Sequence, residues 1–234
     1  IVKGILIASF GSSYYDKAFT SFVEDVKREF AFPVEEGFSP DMMKHLERKG
    51  KPVNPSYEEA YNSLKEKADE VYALSLFVTS GIEYHKVKAL GVPLSEPLLS
   101  EEAYYERLSN ALSIKEEKDR ALLLIGHGTS HAANGEYGKF FDKIKLPNVF
   151  MKTLHGKKTV DELHKEMHEY RRVRIIPLFL IAGDHVKNDL FAEDNSIASS
   201  FHLLGYEVEG EAKGLLEFEE IRKIFIEKLK KVVE

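Results

Sequence analysis

A chain of 234 residues, 43% hydrophobic and 31% charged, has the composition of a soluble globular protein. Its length suffices for one large domain or two of about 110 residues each. No apolar run approaches the roughly 20 residues that span a bilayer, the net charge of −6 argues against a nucleic-acid partner, and the lack of cysteine excludes disulfides and leaves imidazole and oxygen as the available metal ligands.

In chain order, short apolar runs alternate with longer amphipathic stretches, the pattern of βαβ units and a mostly parallel sheet. Gly4 to Phe10 predicts a first strand, ended by Gly11-Ser12-Ser13, and Tyr15 to Phe30 a helix. Phe32 to Phe38 reads as a short strand, Asp41 as the cap of a helix through Arg48, and Ser56 with Glu59 as a capping box for a helix over Tyr57 to Ala68. A strand over Val71 to Val78, an extended segment from Val92 and a helix over Ser100 to Ser113 complete the first half. The charged segment Ile114 to Arg120 is expected to link it to the second. There, strands are expected over Ala121 to Ile125, Asn148 to Leu154 and Ile175 to Ala182, with a last helix over Phe218 to Val232. Arg171-Arg172-Val173-Arg174, the one basic cluster, is taken as a surface helix end.

The halves echo one another. Ser9-Phe10-Gly11-Ser12-Ser13 matches Gly126-His127-Gly128-Thr129-Ser130, and Leu76 to Gly81 matches Leu178 to Gly183. We therefore expect an α/β fold of two similar domains, each a mostly parallel sheet flanked by helices: residues 1–117 and 118–234, with the last helix free to pack on either. Phe10 then corresponds to His127, and Glu83 to His185.

Three histidines follow three predicted strands, each beside or near a glycine: His127 in Gly126-His127-Gly128, His155 before Gly156, and His185 after Gly183-Asp184. Parallel sheets bind ligands beyond the carboxyl ends of their strands, and imidazoles converging there suggest a transition-metal site. The first half would face them with an apolar and acidic wall that includes Phe10 and Glu83, with His85 a further candidate. His131 reads as a surface residue, as do His45 and His202, and His164 with His168 as one solvated helix face. Gly11-Ser12-Ser13 and Gly128-Thr129-Ser130 read as helix openings, suited to capping or to binding carboxylates.

These motifs, with Gly81-Ile82-Glu83-Tyr84-His85 and the long stretch Pro177 to Asp189, resemble the class II tetrapyrrole chelatases, and most closely the anaerobic sirohydrochlorin cobaltochelatases of the CbiK type. The resemblance covers nearly the whole chain. It implies a lyase with its active site between two domains, inserting a divalent metal into a tetrapyrrole of cobalamin or sirohaem biosynthesis. By the same resemblance the metal ligands are His127, His185 and a third group. That third group is a glutamate in the family and His155 here. Co²⁺ is the expected metal, with Ni²⁺, Fe²⁺ or Zn²⁺ open to an all-imidazole site.

The roles expected are His127 as ligand and proton acceptor, His185 as ligand, and Glu83 in proton removal or ring orientation. Phe10, Ser12, Ser13, Tyr84, His85 and Lys187 are expected against the macrocycle and its carboxylates. Two other readings use the same residues: a non-catalytic haem or tetrapyrrole carrier, and a three-histidine zinc hydrolase. A cytoplasmic location is expected, an export signal removed before Ile1 stays open, and so does a homo-oligomer.

Overall fold

The computed structural model describes residues 1–12 and 16–234. Ser13 and the expected helix start at Tyr15 lie outside the described residues. The fold is α/β, with two parallel sheets flanked by helices. The chain divides into two compact units: Ile1–Glu101 with Ile221–Glu234, and Glu102–Glu220.

The first unit holds β1 (Lys3–Ser9), α1 (Lys17–Phe30), β2 (Val34–Phe38), α2 (Pro40–Arg48), α3 (Tyr57–Lys65), β3 (Glu70–Ser75) and α4 (Ile82–Lys88). Its sheet has the order β2-β1-β3, all parallel, with Leu6 facing Glu35 on one side and Ala73 on the other. The central strand β1 is fully buried from Ile5 to Ala8, which is why it reads as an unbroken apolar run rather than an alternation. Asp16 caps α1 by accepting from the Phe19 N–H at 2.8 Å, and Ser56 with Glu59 forms the expected capping box on α3. Asp41 does not cap α2: Ser39 stands at the cap and Pro40 opens the helix, while Asp41 pairs with Lys86 at 2.9 Å. Residues 82–88, expected as a loop around Glu83 and His85, form α4, and Gly81 precedes it.

The second unit holds α5 (Tyr105–Ala111), β4 (Arg120–Gly126), α6 (Gly135–Ile144), β5 (Val149–Thr153), α7 (Val160–Met167), β6 (Arg172–Leu178), α8 (Ile197–Leu203) and β7 (Glu207–Gly210). The sheet order is β5-β4-β6-β7, again parallel. Its first three strands repeat the order of the other unit. The place of β7 is marked there by a single bridge between Ala73 and Leu94. The basic cluster is not a helix end: Arg172 and Arg174 lie inside β6, where Arg172 pairs with Glu209 and Asp119, and Arg174 donates to the Leu112 carbonyl.

The packing boundary lies at Glu101/Glu102, while the sequence suggested 117/118. The supposed linker is fastened to the second unit. Ile114 is buried, and the buried Asn148 amide donates to the carbonyls of Lys115 and Arg120 at 3.2 and 3.1 Å.

The last helix, α9 (Glu219–Val233), belongs almost wholly to the first unit. Phe225 meets Phe22 edge to face, and Lys228, 1% exposed, donates to the Pro97 carbonyl and to Glu101 at 2.6 Å. Burial pushes the Lys228 ammonium below its ordinary pKa, and Glu101 opposes that shift.

Leu123 sits at the centre of β4 with no exposed surface, packed among the core residues of the second sheet. Leu123→Ala is expected to cost about 2–5 kcal/mol, read as a lower urea midpoint, while Lys139→Ala on the exposed side of α6 stays within about 0.5 kcal/mol.

Candidate metal centre

Three adjacent strands of the second unit end level. Gly126, the last residue of β4, is in register with Thr153 of β5 and Leu178 of β6. Pairing continues past the strand ends, where the His155 N–H donates to the His127 carbonyl at 3.2 Å and the Leu154 N–H to the Gly126 carbonyl at 2.9 Å. The loops that follow therefore leave the sheet side by side. Between β4 and β6 the chain changes direction across the sheet, the place where open α/β sheets form a ligand crevice.

Two glycines make the close approach around His127 feasible. Gly126 lies against the ring of Tyr137, so that any Cβ there would overlap it. Gly128 has φ of +81°, a left-handed conformation, and a Cβ on it would come within 2.8 Å of Thr153 Cβ. The turn after β4 can thus fold down on the end of β5, which brings His127 beside His155.

The rings of His127 and His155 are 4.5 Å apart between centroids, and those of His127 and His185 are 4.9 Å apart, both edge to face. An ion about 2.0–2.1 Å from each nitrogen, with ligand angles of about 90–110°, sets two imidazole centroids roughly 4.5–5.2 Å apart. The separations match. The nitrogens themselves are not yet gathered on one point: among the described residues, no three His, Asp or Glu side chains are posed around a common ion position. What stands in place is the spacing of the rings.

Hydrogen bonds fix two of the tautomers. His127 Nδ1 lies 3.0 Å from the Gly128 carbonyl, which can only accept, so Nδ1 carries the hydrogen and Nε2 keeps its lone pair. His185 Nδ1 lies 2.6 Å from Asp189 Oδ2. Burial lowers the pKa of His127 below the ordinary 6.5; the nearby His155 and His185 lower it further, against the Gly128 bond, which raises it. Burial and the two neighbouring rings thus favour the neutral form of the ring.

His155 is exposed on the turn after β5. Lys152 closes that turn by donating to the carbonyls of Thr153 and Lys158. Phe179 adds an apolar face 6.1 Å from the His127 ring.

The other expected residues have the following surroundings. Glu83, near the start of α4, accepts from Ser39 Oγ at 2.9 Å, Tyr57 OH at 2.8 Å and Lys86 Nζ at 2.9 Å. Tyr84 is buried at 6% in the core of the first unit, with its ring against that of His85. Phe10 is 48% exposed directly after β1, Ser12 is half-buried, and Ser13 lies outside the described residues. Lys187 is exposed on the helical turn that begins at His185.

His131 is more than a surface residue. Its Nδ1 accepts from the Ala133 N–H at 3.0 Å and so caps the short helix that follows the His127 turn. His164, expected in solvent, bonds the hydroxyl of Tyr206 at 2.8 Å. Sequence reading passed over Asp189 and Lys152. Asp189 carried a signal in its spacing of four from His185, whereas nothing local marked Lys152.

Comparison with known proteins fits this picture. The sequence model of the Cobalt chelatase (CbiK) family matches residues 3–234. A sirohydrochlorin cobaltochelatase, CbiKC, of Nitratidesulfovibrio vulgaris is 26% identical, over 97% of this chain and 89% of that protein. The sirohydrochlorin cobaltochelatase of Salmonella typhimurium is also 26% identical, over 96% and 94%. A solved multi-domain protein of Deinococcus radiodurans, described as structurally similar to chelatases, has the same fold at a TM-score of 0.66 and 12% identity; this chain spans 56% of its length. The protein is a metal chelatase, an enzyme of the lyase class. It belongs to the Cobalt chelatase (CbiK) family.

The proximity of the rings has a measurable consequence. The protonation midpoint of His127, followed by NMR, is expected below 6.5, and His155→Ala should move it upward because a neighbouring positive ring and part of the desolvation are removed.

Proposed function

We propose that this enzyme inserts Co²⁺ into sirohydrochlorin, with His127, His155 and His185 as the side chains that receive the cation. The observation that carries the reading is the spacing of the three rings at the ends of adjacent parallel strands, 4.5 and 4.9 Å from His127 to its two neighbours. The 26% identity to two sirohydrochlorin cobaltochelatases supports the choice of metal and macrocycle. Fe²⁺ and Ni²⁺ are the competing cations, because imidazole suits them as well.

Insertion forms bonds from the cation to the macrocycle nitrogens and releases two pyrrole protons, of which one would pass to His127 and the other to solvent water. The chain's part is to deliver the ion with open coordination positions and to take up protons. His127 suits both tasks in succession. Its Nδ1–H is engaged by the Gly128 carbonyl, so one lone pair, on Nε2, first binds the cation and is then free to accept a pyrrole proton. A ring with a lowered pKa passes that proton on to water readily and is neutral again for the next cation.

Glu83 is not assigned proton removal, since three donors within its own unit already occupy its oxygens and fix its position. Exposed Lys187, two residues after His185, is assigned a contact with one of the macrocycle's carboxylates. Among the described residues no helix is long and apolar enough to cross a membrane.

The purified protein, mixed with sirohydrochlorin and Co²⁺, is expected to speed the spectral change of metalation, and His127→Ala to lower the rate about 100-fold or more. No acceleration over the protein-free rate overturns the proposal, and tight haem or tetrapyrrole binding without turnover would make the chain a carrier.

A further inference from the structure

The helical turn that carries His185 is wound more loosely than an α-helix. Residues His185–Leu190 form a π-helix, a conformation that is rare and concentrated at functional sites. At roughly 4.4 residues per turn it places side chains four apart nearly above one another. Val186 and Leu190 are buried and anchor the turn in the core, which leaves His185 and Asp189 together on the exposed side.

The Asp189 carboxylate is 2.6 Å from His185 Nδ1, a short, charge-assisted bond. A carboxylate can only accept, so the hydrogen must be on Nδ1 and the lone pair on Nε2. An imidazole in water favours the opposite tautomer, with the hydrogen on Nε2, which presents no lone pair from that nitrogen. His127 is held in the Nδ1–H form by a backbone carbonyl and needs no side chain to do so. Among the described residues His185 Nδ1 bonds Asp189 rather than a backbone carbonyl, and Asp189 takes that part.

We propose that Asp189 is a positioning residue that holds His185 as the Nδ1–H tautomer, so that its Nε2 lone pair is offered to an incoming divalent cation. The inference rests on the reading of His185 as a receiver of the cation. It goes beyond that reading in assigning the orientation of the ring to a residue that touches neither metal nor macrocycle. Carboxylates behind metal-binding histidines serve this purpose widely, and their loss costs roughly 10–100-fold in metal affinity.

Two measurements on the full chain test it. Long-range ¹H–¹⁵N correlation spectra of the histidine rings report the tautomer without any metal. His185 is expected as Nδ1–H in the wild type and as predominantly Nε2–H in Asp189→Ala. Titration with Co²⁺ alone, in the absence of tetrapyrrole, is expected to show roughly 10–100-fold weaker binding in Asp189→Ala. Asp189→Asn, which can still accept from Nδ1–H through its amide oxygen, should recover part of the loss. Asp189 is about half exposed, so both variants should unfold at the wild-type temperature.

A wild-type His185 already in the Nε2–H form overturns the proposal. So does a tautomer unchanged in Asp189→Ala, or a Co²⁺ affinity unchanged while the tautomer flips. Failure of the wild-type chain to take up Co²⁺ strikes at the metal reading itself, and the ring spectra still decide what Asp189 does to His185.

Discussion

The register of one central strand is the constraint on which the site depends. β4 is hydrogen-bonded on both sides, and Gly126 at its end is level with Thr153 and Leu178. Because neighbouring strands lie about 4.8 Å apart, residues just beyond three level strand ends start within reach of one another. A slip of one residue would reverse the faces of a strand and move its terminal loop along the sheet. The burial of β4 on both faces, with Ala121 to Ile125 wholly inaccessible, makes such a slip costly. Stability of the core and placement of the imidazoles are therefore one property. The small residues Gly126 and Gly128 then convert strand proximity into ring proximity, because the Tyr137 ring and Thr153 occupy the space that side chains there would need.

Much of this was legible in the sequence, and for identifiable reasons. Strands buried on both faces are continuous apolar runs, so β1 and β4 announce themselves, whereas β6 begins at Arg172 and ends at Leu178, not over the expected Ile175 to Ala182; the repeated Gly-containing strand ends disclose the duplicated order of strands. Capping boxes were visible where the side chain bonds three residues ahead in its own segment, as at Ser56 and Glu59. Two of the misreadings share a cause, which is dependence on partners distant in sequence. Arg172 and Arg174 looked like a surface cluster because Glu209 and the Leu112 carbonyl, which receive them, lie 37 and 62 residues away. The segment from Ile114 looked like a linker because Asn148, which fastens it, is 33 residues from Lys115. The site itself divides in the same way. The strand-end histidines carry their position in local pattern, whereas the closing of the His155 turn by Lys152 depends on carbonyl directions that no residue type encodes.

The proposed set of three imidazole ligands poses a question of charge for a divalent cation. Each ring would donate a lone pair, yet none would offset the ion's charge as a carboxylate ligand does, and that would suit an ion in transit. A chelatase must give up its metal on every turnover, so a hold that is selective in geometry and modest in depth serves it better than a closed, charge-compensated cage. Asp189 adds negative charge at one ring's remove. At about 6 Å from an ion on His185 Nε2, with an effective dielectric between about 20 and 80, that charge contributes roughly 1–3 kcal/mol, and its half-exposed setting favours the lower end. Under the proposal, such a contribution would draw the cation toward the strand ends without binding it directly. The same carboxylate would then do two things through one bond: choose the nitrogen that faces the ion, and supply part of the field that brings the ion there.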